Sequence, residues 1–254
     1  MRILLTNDDG ISAAGLAGLY RAVADLGEVT VVAPATPQSA TGRAITLDAD
    51  IVCQRVEADP FQGIAIAGSP ADAVKIAIHH LMEAPPDLVL AGINAGANVG
   101  INVFYSGTVA AAAEGAMFDV PSVAFSLAAG GPVDFDRAAG LCRWILNGLI
   151  ARGLVPGELV NVNIPPLTPA GPKGVKVVPQ GTSAISETYY RQDAADGRII
   201  FRLADYYEHG PQDGQTDVSA LAEGFITVTP LHSDLTDRAG AARLQKTPWS
   251  VPPR

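Results

Sequence analysis

The stretch that most constrains this chain is Ile3-Leu4-Leu5-Thr6-Asn7-Asp8-Asp9-Gly10, an apolar run that ends on two adjacent carboxylates and a glycine. Ile3 to Leu5 is short and β-compatible, and Gly10 permits a turn. Leu16, Leu19, Tyr20 and Val23 then recur at helical spacing. The acids therefore fall on a strand-to-helix loop, which in an open α/β sheet is the carboxyl edge where ligands bind. Neighbouring carboxylates repel one another unless a cation or a shared proton compensates. Seen alone, an Asp-Asp pair is more often a solvated acidic turn, and the loops further along weigh against that reading.

The first half of the chain keeps alternating strand and helix. Arg2 to Thr6 is a predicted strand, Ala14 to Leu26 a helix and Val29 to Ala33 a near-continuous apolar strand, which together make one βαβ unit. Pro34 to Arg43 is rich in turn formers and small hydroxyls, a loop that leaves the second strand beside the acidic pair. Ile45 to Glu57 suggests a peripheral strand or hairpin, and Ile64 to Ala67 a short strand. Ser69 and Pro70 open a helix that runs to about Met82, with His79 and His80 near its end on different faces. Asp87 to Gly92 and Pro121 to Ser126 are further strands, Val109 to Phe118 and Phe135 to Ile150 helices, and Leu159 to Ile164 another strand. This is a doubly wound, mostly parallel, Rossmann-like α/β core over residues 1–165. Pro165 to Pro172 is linker-like, and residues 166–254 carry short strands at Val175 to Pro179, Ile199 to Leu203 and Phe225 to Thr229. We expect this part to be a smaller β-rich segment that serves oligomerisation and returns to the core, with Tyr189, Tyr190, Tyr206 and Tyr207 as sheet residues or partner contacts.

Three loops share chemistry. The segment after the Asp87 strand, Ile93 to Gly100, repeats glycine at 92, 96 and 100 and fits neither the dinucleotide-binding nor the P-loop pattern. Its glycines permit close backbone approach to an anion while Asn94 and Asn98 offer amides, although turn punctuation alone explains them as well. Asp8 and Asp9, Ser39, and Asn94 all leave strand ends on one predicted edge and all present hard oxygen. That set suits Mg²⁺ or Mn²⁺, which take carboxylate, amide oxygen, hydroxyl and water and leave room for a phosphate oxygen. Ser106 is a clear N-cap for the Ala-rich helix behind it, and a capped helix start is also a phosphate seat. A cation facing such a seat is the layout for metal-assisted hydrolysis of a phosphate ester by water.

Composition removes several alternatives. Net charge is -9 over 254 residues, so a nucleic-acid polymer or an anionic membrane would be repelled. Cys53 and Cys142 make no disulfide framework, and the four His make no zinc spacing. With no signal peptide pattern and no apolar run long enough to span a bilayer, a cytoplasmic setting is expected.

Beyond chemistry, the chain resembles the SurE survival-protein family of metal-dependent 5'/3'-nucleotidases along nearly its whole length. The likeness rests on ILLTNDDGI, VVAP with Gln38-Ser39, SPADAV at 69 to 74, PDLVLAGINAGANVG at 86 to 100, YSGTVAAAAEG at 105 to 115 and VNVNIP at 161 to 166. The resemblance implies that Asp8, Asp9, Ser39 and Asn94 hold one divalent metal per subunit, and that Asn98, Ser106, Gly107 and Thr108 hold the phosphate of a nucleoside monophosphate. It also implies a homodimer or homotetramer with exchanged C-terminal segments. Ser69, Ala73, Ala40 and Ala91 depart from the residues common in the family, and of these Ala40 stands beside the metal loop. Whether Asp8 is a ligand only or also takes a proton from the attacking water stays open, and no His is placed by sequence to do so. A phospho-accepting receiver domain is the first rival, but it needs an Asp acceptor where this chain has Gly92-Ile93-Asn94. The second is a non-catalytic nucleotide-binding scaffold, against which the complete ligand set argues.

Overall fold

The structure, a computed structural model, describes residues 1–130, 133–182, 185–194, 196–209 and 214–250. In chain order the elements are β1 (Arg2–Thr6), α1 (Ala14–Val23), β2 (Glu28–Pro34), β3 (Cys53–Ala58), β4 (Phe61–Ile66), α2 (Pro70–Ile76), β5 (Leu88–Ala95), α3 (Gly107–Met117), β6 (Ser122–Leu127), α4 (Phe135–Arg152), β7 (Leu159–Ile164), β8 (Val175–Val177), β9 (Ile185–Asp193), β10 (Ile199–His209), α5 (Asp217–Ala222), β11 (Ile226–Leu231) and α6 (Arg238–Leu244). Nine strands form one sheet in the order β3-β4-β2-β1-β5-β6-β7-β11-β8. The run from β4 to β7 is parallel throughout, whereas β3 and β11 pair antiparallel at the flanks. β9 and β10 form a separate antiparallel pair. The mostly parallel sheet with flanking helices is the α/β class expected from the sequence.

Side-chain alternation builds the two layers. Along β1, Ile3 and Leu5 face one apolar cluster with Leu16 and Leu19 of α1 and Ala139, Cys142 and Leu146 of α4. Leu4 faces the opposite cluster, with Ala73 and Val74 of α2 and Val109, Ala111 and Ala112 of α3. Burying both faces of a parallel sheet requires the near-continuous apolar strands seen here. α3 carries alanine where most helices carry larger residues, and Ala110 to Ala113 are each at most 5% exposed. Small side chains let this helix lie close against the sheet.

The differences from the sequence expectations are local. Of Ile45 to Glu57 only the part from Cys53 onward is strand; before it, Thr46 bonds to Asp72 through both its N–H and its hydroxyl. The helix from Ser69 turns π-helical over Ala77–Leu81, and both of its histidines are exposed. β5 continues to Ala95, beyond the expected end at Gly92, with a cis bond between Gly92 and Ile93 and a register shift against β6 between Ala91 and Asn94. β8 and β11 hydrogen-bond into the central sheet beyond β7, so the segment after Pro172 shares the main sheet with the first 165 residues. β9, α5 and α6 have no counterpart among the predicted elements. Tyr189 and Tyr190 are exposed on β9, while the side chains of Tyr206 and Tyr207 lie outside the described residues. No helix among the described residues is long and apolar enough to cross a membrane.

Candidate active site

From β1 the chain steps outward to β2 on one side, and later continues from β5 to β6 on the other. The order reverses between β1 and β5, and the crevice beyond the carboxyl ends at such a point is where open α/β sheets bind ligands. Thr6 pairs with Ala91 in register, so Asp8 and Asp9 leave β1 at the level where β5 delivers Asn94. A cavity of about 140 Å³ opens there, and its lining includes Asp8, Asp9, Ser39, Asn94, Asn98 and Ser106. The four expected metal ligands are thus brought together, along with two of the four expected phosphate contacts. The other two, Gly107 and Thr108, lie just behind Asp8.

Each side chain is held by local structure. Asn7 donates to the carbonyl of Gly10 at 2.9 Å, and the N–H of Gln38 donates to the carbonyl of Asp8 at 2.8 Å, which docks the Pro34 to Arg43 loop against the acidic pair. Asp8 is 6% exposed, and its Oδ1 accepts a hydrogen bond from the Thr108 hydroxyl. Burial pushes the Asp8 carboxyl up; the Thr108 hydroxyl pulls it down, the Asp9 charge pushes it up again, and it settles at about 6. Asp9 is also raised by burial, offset by the Ala95 N–H that donates to its Oδ2 at 3.2 Å. Asn94 donates from Nδ2 to the carbonyl of Gly96 at 2.8 Å, and this leaves its Oδ1 as the atom available to a cation.

The start of α3 is fitted against Asp8. Ser106 caps it by accepting the Val109 N–H at 3.1 Å. A Cβ on Gly107 would lie 2.7 Å from Cβ and 2.9 Å from Oδ2 of Asp8, so only glycine allows the helix to begin there. The backbone N–H of Thr108 also favours the charged form of Asp8. The partial positive charge of this helix end is therefore directed first at the carboxylate, with Ser106 at the cavity wall beside it.

Asn98 is fixed by residues that sequence reasoning did not single out as site residues. Its Nδ2 donates to Ser126 Oγ at 2.9 Å, its N–H donates to Asn163 Oδ1 at 2.8 Å, and its carbonyl accepts from Asn161 and Asn163 at 2.7 and 3.1 Å. The signal was available in Val160-Asn161-Val162-Asn163-Ile164, where two amides alternate with core residues in a fully buried strand and must find partners. Asp217, entirely buried, accepts the N–H groups of Gly100 at 3.0 Å and Gly181 at 2.7 Å, and Gln180 donates to the Gly100 carbonyl at 2.8 Å. Nothing local in the sequence announces a contact across 117 positions.

The donor set answers whether a metal fits. Two carboxylates, a hydroxyl and an amide oxygen converge, both carboxyls are destabilised by burial, and no basic side chain lines the cavity among the described residues. Such a site is short of positive charge. With no His or Cys in its lining, a hard divalent cation fits.

The family model described as survival protein SurE matches residues 3–187. A protein of Syntrophobacter fumaroxidans named 5'-nucleotidase SurE is 46% identical over 93% of this chain and 95% of its own length. One of the same name from Moorella thermoacetica is 43% identical over 93% and 92%. The crystal structure of the SurE protein from Aquifex aeolicus superposes with a TM-score of 0.82 at 34% identity, covering 97% of this chain and all of that one.

Proposed function

Because the chain belongs to the SurE survival-protein family, we propose that it is a divalent-metal-dependent 5'-nucleotidase, hydrolysing nucleoside 5'-monophosphates, and 3'-monophosphates as a secondary activity, to nucleoside and phosphate. The observation that carries the metal dependence is the charge balance of the cavity. Asp8 and Asp9 stand together there with no basic side chain in the lining, yet the substrate is a dianion. Neither the acids nor the substrate would settle in that cavity without a cation. Mg²⁺ or Mn²⁺, one per subunit, is held in this reading by Asp8, Asp9, Ser39 and Asn94. When bound, the ion supplies polarisation of a phosphate oxygen and lowers the pKa of water.

The chain's own groups do the rest. The Thr108 hydroxyl and the Ala95 N–H each occupy one oxygen of Asp8 and Asp9 respectively, which orients the carboxylates. Asn98, held by Ser126, Asn161 and Asn163, and Ser106 at the helix start position the phosphate, with the backbone N–H groups of Gly107 and Thr108 adding partial positive charge. Tyr190, Ile199 and Phe201, exposed on the β9–β10 pair, support assembly as a homodimer or homotetramer. Free Cys53 and Cys142 agree with a reducing, cytoplasmic setting.

The test is phosphate release from a nucleoside 5'-monophosphate by metal-stripped protein, with Mg²⁺, Mn²⁺ or excess chelator. Activity should return with the metals and fall more than about a hundredfold in Asp8→Asn and Asp9→Asn, since losing even a residue that only orients a ligand weakens metal sites by about 10–100-fold. Full turnover in chelator overturns the reading.

A further inference from the structure

The cavity holding the acidic pair, at about 140 Å³, is smaller than the roughly 300–1,000 Å³ of sites that enclose a small-molecule ligand. A cation and a phosphate suit its size and its hard-oxygen lining, and the nucleoside must lie elsewhere. Immediately beside it is a second cavity of about 390 Å³, walled by Val99, Ala128, Ala129, Pro166 and Leu221 among others. Both cavities are lined by Ala95, Gly96, Ala97 and Asn102. The partition between them is thus made of small residues and one carboxamide.

Asn102 stands out within that partition. Its backbone is committed: the N–H donates to the Val99 carbonyl at 3.3 Å, and the carbonyl accepts from Tyr105 and Ser106 at 3.0 and 3.1 Å. Its side chain is not. The residue is 4% exposed, yet neither Nδ2 nor Oδ1 has a hydrogen-bond partner among the described residues. Buried amides are normally satisfied, and an unsatisfied one calls for a specific explanation. Asn98, four positions earlier, shows the ordinary outcome, with its Nδ2 bonded to Ser126.

We infer that Asn102 and the apolar cavity behind it form the nucleoside subsite, with the base among Val99, Pro166 and Leu221 and the sugar hydroxyls on the Asn102 amide. The chemistry matches on both sides. A nucleobase has flat apolar faces that suit a concave aliphatic lining, with its polar edge left to the open side. A ribose hydroxyl both donates and accepts, which is what the unpaired N–H and carbonyl of this buried carboxamide can answer once the small residues beside it give way. The inference rests on the nucleotidase reading, because it places the phosphate at Ser106 and Asn98, on the other side of the same partition.

Two substrates separate the subsite from the hydrolytic machinery: a nucleoside 5'-monophosphate and ethyl phosphate, which has the ester and no nucleoside. Asn102→Ala removes the amide, and Ala129→Phe, at an exposed position, fills the apolar cavity without entering the core. For each variant the ratio of kcat/KM for the nucleotide to that for ethyl phosphate should fall by about tenfold, the effect of one lost hydrogen bond or one obstructed pocket, with the nucleotide's KM carrying the change. A ratio unchanged in both variants overturns the inference, as does an equal loss on both substrates, which would make Asn102 a support for Ser106 alone. Calorimetric titration of the uncharged nucleoside reads the subsite without turnover. Binding by wild type that is weakened in both variants supports it, and binding that is absent or equal in all three proteins overturns it. If wild type releases phosphate from neither ester, the nucleotidase reading has failed, and the titration still decides whether the subsite exists.

Discussion

On one side of the cavity at the acidic pair Asp8 is 6% exposed, bonded to Thr108 and pressed against the first residue of α3; on the other, Ser39 stands exposed on a loop that touches the acidic pair through the hydrogen bond from Gln38 N–H to Asp8. The inner wall is backed by β1, α3, β6 and β7, and its Asp8, Asn98 and Ser106 side chains each have a partner inside the protein. The outer wall is the Pro34 to Arg43 loop, whose internal bonds are short-range, such as Thr41 Oγ1 to the Gln38 carbonyl at 2.9 Å. Preorganised groups bind without reorganising, so in the proposed reading it is the inner wall that would fix where a cation sits. Fewer contacts hold the outer wall, and local opening there is correspondingly easier. A fixed half carrying two carboxylates and an adjustable half carrying one hydroxyl suit a site that must admit a substrate between them.

The largest effect that can break this comparison is expected at Thr108. Thr108→Val keeps the shape of the side chain and removes the hydroxyl that Asp8 accepts from, leaving the carboxylate buried and less well oriented. Loss of such an outer-shell partner weakens metal sites by roughly 10–100-fold. Metal titration of the stripped protein should show that loss before any change in substrate affinity. Unchanged metal affinity would mean that the inner wall is not what positions the ion.

A smaller effect is expected one layer further out, at Asp72. Ser69 and Asp72 form a reciprocal capping box at the start of α2, and Asp72 also accepts from Thr46 through N–H at 3.1 Å and hydroxyl at 2.8 Å. Pro70 of the same turn would lie 3.1 Å from a Cβ on Gly107, so α2 supports the helix start that supports Asp8. Burial pushes the Asp72 carboxyl up, but the bonds from Ser69 and Thr46 outweigh it and hold it below 3.8. Its contribution to stability is therefore complete above pH 3.8 and is lost as pH falls through the lower folded value. Asp72→Asn should cost about 1 kcal/mol at neutral pH, a typical capping loss. Chemical denaturation at two pH values checks this: the gap between variant and wild type should narrow in strong acid, and a gap that widens there would refute the assignment.

How far these walls were legible in the sequence follows from how local their causes are. Asp8, Asp9 and Asn94 were found because each ends an apolar strand, and strand ends in a doubly wound sheet share one edge. Ser106 and Ser69 were found as caps because capping is a contact within one turn. The Thr108 bond to Asp8 spans 100 positions and that of Gly100 to Asp217 spans 117, and neither has a local pattern that would reveal it. The same reason hid the pairing of β11 with β7: a short apolar strand does not announce its neighbour, and tertiary packing chooses it. Ile185 to Asp193, rich in polar and aromatic residues, lacks the continuous apolar run that marked the central strands, so β9 passed unseen.

The smallest effect, and the sharpest test of the outer wall, is expected at Ala40. Its φ is +58°, in the left-handed region that side chains other than glycine adopt at a cost of about 1–2 kcal/mol. Ala40 lines the cavity of the acidic pair next to Ser39, and it is one of the positions where this chain departs from the residues common in the SurE family. Ala40→Gly removes that strain and also gives the unfolded chain more freedom, and the second change offsets part of the first. A net gain of about 0.5–1 kcal/mol in stability is expected, read from the midpoint of denaturant unfolding. Metal affinity should change little, because Gln38 N–H remains docked on Asp8 on one side of Ala40 and Gly42 N–H on the Tyr105 carbonyl on the other, which limits how far Ser39 can move. A tenfold change in metal affinity with no gain in stability would mean that the left-handed turn at Ala40 places Ser39 as firmly as Thr108 places Asp8, and the contrast between the two walls would fall.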